Sequence, residues 1–186
     1  MQNMTIGKRL ALGFGVVIAI VAILGAFTFV ELRSIQTASD RIVVHALPGT
    51  ALSGSIRDSV QTTYADVLEH VSATDPKDME ESDAEIVEVR AKVTKEFTDY
   101  EKTITQADDR ANFDRIQPLR KAYLEKMDAT TKMSREGKKA EALAFVHSDL
   151  EAAFDAYSGA VAAMADWNIT EGAAAGKDIE AAIGAT

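Results

Sequence analysis

From residue 10 to residue 30 the chain carries no charged or strongly polar side chain, only Leu, Ala, Gly, Phe, Val, Ile and Thr28. At about 1.5 Å of rise per residue such a run crosses a hydrocarbon core of roughly 30 Å, which predicts one transmembrane helix. A cleaved secretory signal is the alternative. It calls for a shorter apolar region and small residues before a cut site, and Gly25-Ala26 serves that purpose poorly. Lys8 and Arg9 precede the run and Glu31 follows it, so the positive-inside rule predicts a cytoplasmic stub at 1–9, a span at 10–30 and an extracytoplasmic domain at 31–186. No second apolar run follows, and the expectation is that the chain is the front part of a longer two-span protein.

After residue 30 no stretch alternates apolar and polar residues long enough for a strand, proline occurs three times, and glycine is sparse. The domain is predicted all-α. Three points punctuate it. Ser72-Ala73-Thr74-Asp75-Pro76 offers a capping aspartate followed by proline at the first helical position. Asp108-Asp109 offers a carboxylate cap for the next helix, and Gly137 in Arg135-Glu136-Gly137 suits a left-handed helix end. Four helices result, at about 31–71, 77–106, 110–135 and 139–184, the first continuous with the membrane helix.

Their inner faces follow from spacing. Helix one presents Ile35, Ile42, Ile56, Val60, Thr63 and Val67, with Pro48-Gly49 expected to kink it. Helix two presents Ile86, Val89, Val93, Phe97, Tyr100, Ile104 and Ala107. Helix three presents Phe113, Ile116, Tyr123, Met127 and Thr130, with Pro118 near its start, and helix four Leu143, Val146, Leu150, Phe154, Tyr157, Val161 and Met164. Short connections between long helices make neighbours antiparallel, so the prediction is an up-down-up-down four-helix bundle.

Charge narrows the partners. Setting aside Lys8 and Arg9, the 20 basic residues fall to 18 against 29 acids, a balance of −11 after residue 30. No basic patch for phosphates survives that background, which excludes nucleic acid. An acidic surface still permits a local arginine pocket for a small anion. Cysteine is absent, so disulfides, thiolate metal sites and thiol nucleophiles are excluded.

The start Ile6-Gly7-Lys8-Arg9-Leu10-Ala11-Leu12-Gly13-Phe14-Gly15, then Leu47-Pro48-Gly49, Ile56-Arg57, Tyr123, the Gly137-Lys138-Lys139-Ala140-Glu141-Ala142 turn and Trp167-Asn168 together resemble the N-terminal part of bacterial methyl-accepting chemotaxis proteins. The resemblance covers nearly the whole chain. It implies a sensor in the bacterial inner membrane whose bundle is periplasmic or extracellular and dimerises through helix one. It also implies a small-molecule ligand, of amino-acid or organic-acid type, or a periplasmic binding protein, and a signal carried across the membrane. A cytoplasmic kinase and adaptor would be reached only through a region beyond residue 186. The same bundle could serve a membrane histidine kinase or cyclase, or be a tethered stalk that senses nothing.

For a ligand site, Arg57 and Tyr64 lie seven apart on one stripe of helix one beside Ile56, Val60 and Thr63. Arginine there can clamp a carboxylate with two hydrogen bonds. Heights counted from the membrane place Phe154 and Tyr157 opposite, completing a pocket with aromatic walls; the alternative is that Arg57 pairs with an acid on a neighbouring helix. His45, His70 and His147 are read as solvated or titrating surface histidines, and no metal or cofactor is expected. Asp78, Glu80, Glu81, Asp83 and Glu85 fall in the first turns of helix two, where carboxylates complement the helix dipole. Asn168 is placed on the helix-four seam to fix register. No phosphate loop, nucleophile motif or paired carboxylates point to catalysis.

Overall fold

The computed structural model describes residues 6–184; residues 1–5, the larger part of the expected stub, and Ala185 and Thr186 lie outside the described residues. The elements run α1 (Ile6–Asp40), a π turn (Arg41–Ala46), α2 (Leu47–Ser72), α3 (Pro76–Glu101), α4 (Ala107–Arg135), α5 (Lys139–Phe145), a second π turn (Val146–Leu150) and α6 (Glu151–Gly184). They divide into two compact units, Met1–Ile42 with Ala173–Thr186, and Val43–Gly172.

In the first unit, residues 10–30 of α1 are exposed all the way along, and the helix is long and apolar enough to cross a membrane. Side chains such as Ile18 and Ile23 leave about two-thirds of their surface exposed, at 67% and 68%. In water each would forgo about 1.5–3 kcal/mol of transfer free energy, a loss that a lipid phase removes. Beyond this run Ala38 of α1 and Ala175 and Ala182 of α6 are buried, and Arg41 donates to Asp178 at 2.8 Å. Small side chains let two helix backbones approach closely there.

The second unit is an all-α bundle of four helices: α2, α3, α4, and the composite α5 to α6. Each contributes the face that its spacing predicts. Ile56, Val60 and Val67 of α2, Ile86, Val93 and Phe97 of α3, Phe113, Ile116 and Met127 of α4, and Leu150, Phe154 and Val161 of the fourth helix form one buried cluster. Asp75 caps α3, its carboxylate accepting from Lys77 N at 2.8 Å, with Pro76 at the first helical position. Gly137 ends α4 at φ 77°, a left-handed conformation that a side chain would strain. The amides of Gly137 and Lys138 donate back to Ser134 O and Met133 O.

Four expectations change. Neither aspartate of the second punctuation point caps α4: Gln106 occupies the cap position without a side-chain bond, and Asp109 is buried. The carboxylate has a stronger partner inside the bundle, described below. Helix α3 ends at Glu101, so Ile104 lies half-buried in the connection and Ala107 opens α4 exposed, neither being on the α3 seam. Leu143 is 49% exposed, and Ala142 takes the inner position instead. The π turn Val146–Leu150 is the cause: its wider winding lets Ala142, Val146, Leu150 and Phe154 face inward at uniform steps of four, a spacing from which an α-helix would drift. At Pro48-Gly49, where the sequence predicts a kink, the irregularity takes the form of a π turn just before the proline. Lacking an N–H for the carbonyl of Val44, Pro48 stands at the second position of α2 behind the π turn Arg41–Ala46, and helical winding continues. Pro118 is tolerated inside α4 on its exposed side.

Candidate functional site

Halfway along the bundle all four helices place polar or aromatic groups at one level. Tyr123 of α4 and Tyr157 of α6 are 1% and 2% exposed, with ring centroids 5.6 Å apart. Phe154 lies 6.1 Å from Tyr123 and stacks on Tyr64 of α2 at 4.2 Å, the ring planes 16° apart. Beside the two tyrosines is a cavity of about 20 Å³ lined by Thr63 of α2, Arg90 and Val93 of α3, Arg120 and Tyr123 of α4, and Tyr157.

The hydrogen bonding of this layer is incomplete. Neither the Tyr123 nor the Tyr157 hydroxyl has a partner. A buried unpartnered hydroxyl costs about 1–3 kcal/mol, and well-folded cores leave few of them. Burial pushes both phenols far above their ordinary range; Arg120 opposes the rise at Tyr157 without closing a well-formed hydrogen bond. Arg90 donates to Asp128 at 2.6 Å, and Arg120 donates to Thr94 Oγ1 at 2.7 Å with its guanidinium 5.1 Å above the Phe97 ring. One turn along α2 from Thr63, Asp66 is buried with Oδ2 unpartnered. Burial first, then Glu85 and Glu69, push its carboxyl above the usual range.

Of the residues expected to form a ligand pocket, Tyr64, Phe154 and Tyr157 meet in this aromatic layer, Tyr157 reaching the others through Tyr123. Arg57 does not join them. It is exposed on α2, away from the cavity, and pairs with no acid among the described residues. The cavity is lined instead by Arg90 and Arg120. The sequence carried one sign of them: each stands three residues before an inner-face residue, Val93 and Tyr123, on the shoulder of its helix.

Where the loops at 73–75 and 136–138 adjoin, a second polar cluster corrects the reading of His70. It is fully buried, with Nδ1 3.0 Å from Ser134 Oγ and Nε2 3.4 Å from Asp83 Oδ1. Ser134 Oγ donates to His70 O at 3.0 Å, and Lys139 Nζ donates to both oxygens at 2.8 Å. Asp83 is held by Arg135 through two bonds of 2.8 and 2.7 Å, more than the dipole role expected of it. The order Ser134, His70, Asp83 is that of a nucleophile chain, but Ser134 is 1% exposed and its proton is committed to a carbonyl. Burial lowers the His70 pKa, Asp83 pulls it up, and Arg135 and Lys139 press it down again. Arg135 holds Asp83 below the ordinary carboxylate range.

At the opposite end of the unit, Asn168 Nδ2 donates to Tyr100 Oη at 2.6 Å and to Met164 O at 2.9 Å, while Tyr100 Oη donates to Asp109 Oδ1 at 2.6 Å. Burial raises the Asp109 carboxyl, against the Tyr100 hydrogen bond that lowers it. A β-carbon on Gly49 would collide with Asn168 Oδ1, so at Gly49 the α2 backbone packs directly against the Asn168 amide of α6. Asn168 thus joins three of the four helices by contact or hydrogen bond, and Asp109 brings in the fourth.

The chain thus combines a four-helix bundle with polar layers in its core and an apolar helix long enough to cross a membrane. Residues 3–183 match the family described as a four helix bundle sensory module for signal transduction, and the chain belongs to that family. The resemblance to the sensory region of methyl-accepting chemotaxis proteins stands on this match. Comparison with curated proteins finds no significant match.

Proposed function

We propose that the chain is the signal-sensing region of a transmembrane chemoreceptor, with residues 10–30 spanning the inner membrane, the N-terminus in the cytoplasm and the bundle outside. It binds a small extracellular solute of amino-acid or organic-acid type and passes a conformational change across the membrane. The observation that carries this reading is that one helix, Ile6–Ser72, contains both the exposed apolar run and the residues Thr63 and Tyr64 of the central layer. A solute that favours one of two arrangements of the bundle shifts their populations by its differential affinity, and no catalysis is needed. The exposed apolar residues Val43, Val44 and Leu47 support association of two copies along this helix.

The test is a hybrid receptor in which residues 1–186 precede the second span and signalling region of a chemoreceptor of known output. Amino acids and organic acids are screened for a change in kinase activity. At least one solute is expected to change the output and to raise the thermal midpoint of the full chain in nanodiscs by mass action. A hybrid that assembles in the membrane yet answers to none of them, or reporter fusions placing residues after 30 in the cytoplasm, would refute the proposal.

A further inference from the structure

We infer that the core cavity between α3 and α4 is a binding site for the head group of a small monocarboxylate, held by Arg120 and Arg90 and by the hydroxyls of Tyr123 and Tyr157. This inference rests on the sensory reading and gives it a location. The chemistry of the lining selects the ligand. Guanidinium groups only donate hydrogen bonds, and the two phenols keep their protons, so the site offers donors in excess of acceptors. What completes such a set is an anion with several lone pairs, and a carboxylate matches the planar fork of arginine. Both tyrosines are at least 98% buried with no other partner for their hydroxyls, so the donors are aimed inward at a cost that a ligand repays.

The two arginines differ. Arg90 is already tied to Asp128, whereas Arg120 forms no ion pair among the described residues and is braced by Thr94 and the Phe97 ring. Arg120 is therefore the principal anchor, its head group preorganised before a ligand arrives. Both guanidinium side chains are partly exposed, which gives an anion a way in between α3 and α4. The volume of about 20 Å³ is room for about one water-sized group, so a carboxylate oxygen enters the cavity and the rest of a ligand lies toward the partly exposed arginines. The small volume, which has no room for a second carboxylate beside the first, restricts the class to monocarboxylates.

The experiment is titration calorimetry of the full chain in nanodiscs with sodium acetate, against sodium chloride and sodium succinate at matched ionic strength. Acetate is expected to bind saturably, and chloride and succinate at least tenfold more weakly. Arg120→Gln and the double variant Tyr123→Phe with Tyr157→Phe are expected to weaken acetate roughly tenfold or more, the loss of charge-assisted hydrogen bonds. Arg57→Ala is expected to bind as the parent does. The phenylalanine variant removes only unpartnered hydroxyls, so its thermal midpoint is expected to equal or exceed the parent's, which separates lost binding from lost folding. Failure of the parent to bind acetate, equal binding of chloride, or undiminished binding by the phenylalanine variant overturns the site. A hybrid receptor that answers to some solute and does so unchanged in that variant leaves the sensory reading standing and removes only this location.

Discussion

Gly49→Ala tests whether the contact of α2 with α6 is as tight as its geometry implies. An added β-carbon meets Asn168 Oδ1 and Cγ, so the amide must rotate away. Rotation takes Asn168 Nδ2 from Tyr100 Oη and from Met164 O, bonds of 2.6 and 2.9 Å inside the core. Leaving such a group unsatisfied costs about 1–3 kcal/mol, and overfilling a tight contact about 1–3 kcal/mol more. Alanine returns roughly 1 kcal/mol over glycine within a helix. The net expectation is a destabilisation of about 1–5 kcal/mol, on the order of 10 °C in the thermal midpoint for a chain of this size at the middle of that range. Circular dichroism of thermal and urea unfolding in a mild detergent measures it. The same substitution in an Asn168→Ala background meets no amide, so there Gly49→Ala is expected to be neutral or stabilising by about 1 kcal/mol. A change of sign between the two backgrounds is the signature; equal costs in both would refute the collision argument and place the strain in the backbone of α2.

Other substitutions probe other links. His70 binds its proton less tightly folded than unfolded, so below about pH 6.5 the unfolded chain protonates first and stability falls with pH. Urea midpoints from pH 8 to pH 5 are expected to show this slope in the parent and a flatter one in His70→Gln. Asp75→Ala removes the cap of α3 and is expected to cost about 1 kcal/mol in the same unfolding assay. Leu150→Ala empties a fully buried position, for an expected loss of about 2–5 kcal/mol, whereas Leu143→Ala at an exposed one is expected to change stability by less than about 0.5 kcal/mol. Comparable costs at the two leucines would contradict the phase shift introduced by the second π turn.

What the chain declares about itself is local. The apolar run at 10–30, the capped restart at Asp75-Pro76, the left-handed turn at Gly137 and the inward positions Ile86, Val93, Phe97 and Tyr100 all follow from side chains within a few residues of one another. Spacing of three and four is enough to say which face of a helix is buried, because every α-helix winds alike. Which side chains then meet across the bundle depends on the rotation and height of each helix, and neighbours in sequence do not encode those. So Arg57, on a plausible stripe, points away from the core, while Arg90 and Arg120, on helices that have no arginine at an inner position, converge on Tyr123 and Tyr157. So too Asp109 leaves its cap position for Tyr100, His70 is buried against Ser134, and one π turn moves Leu143 out and Ala142 in. For Asp109 a long-range contact outweighs a capping preference of about 1 kcal/mol, and only the assembled bundle holds both partners.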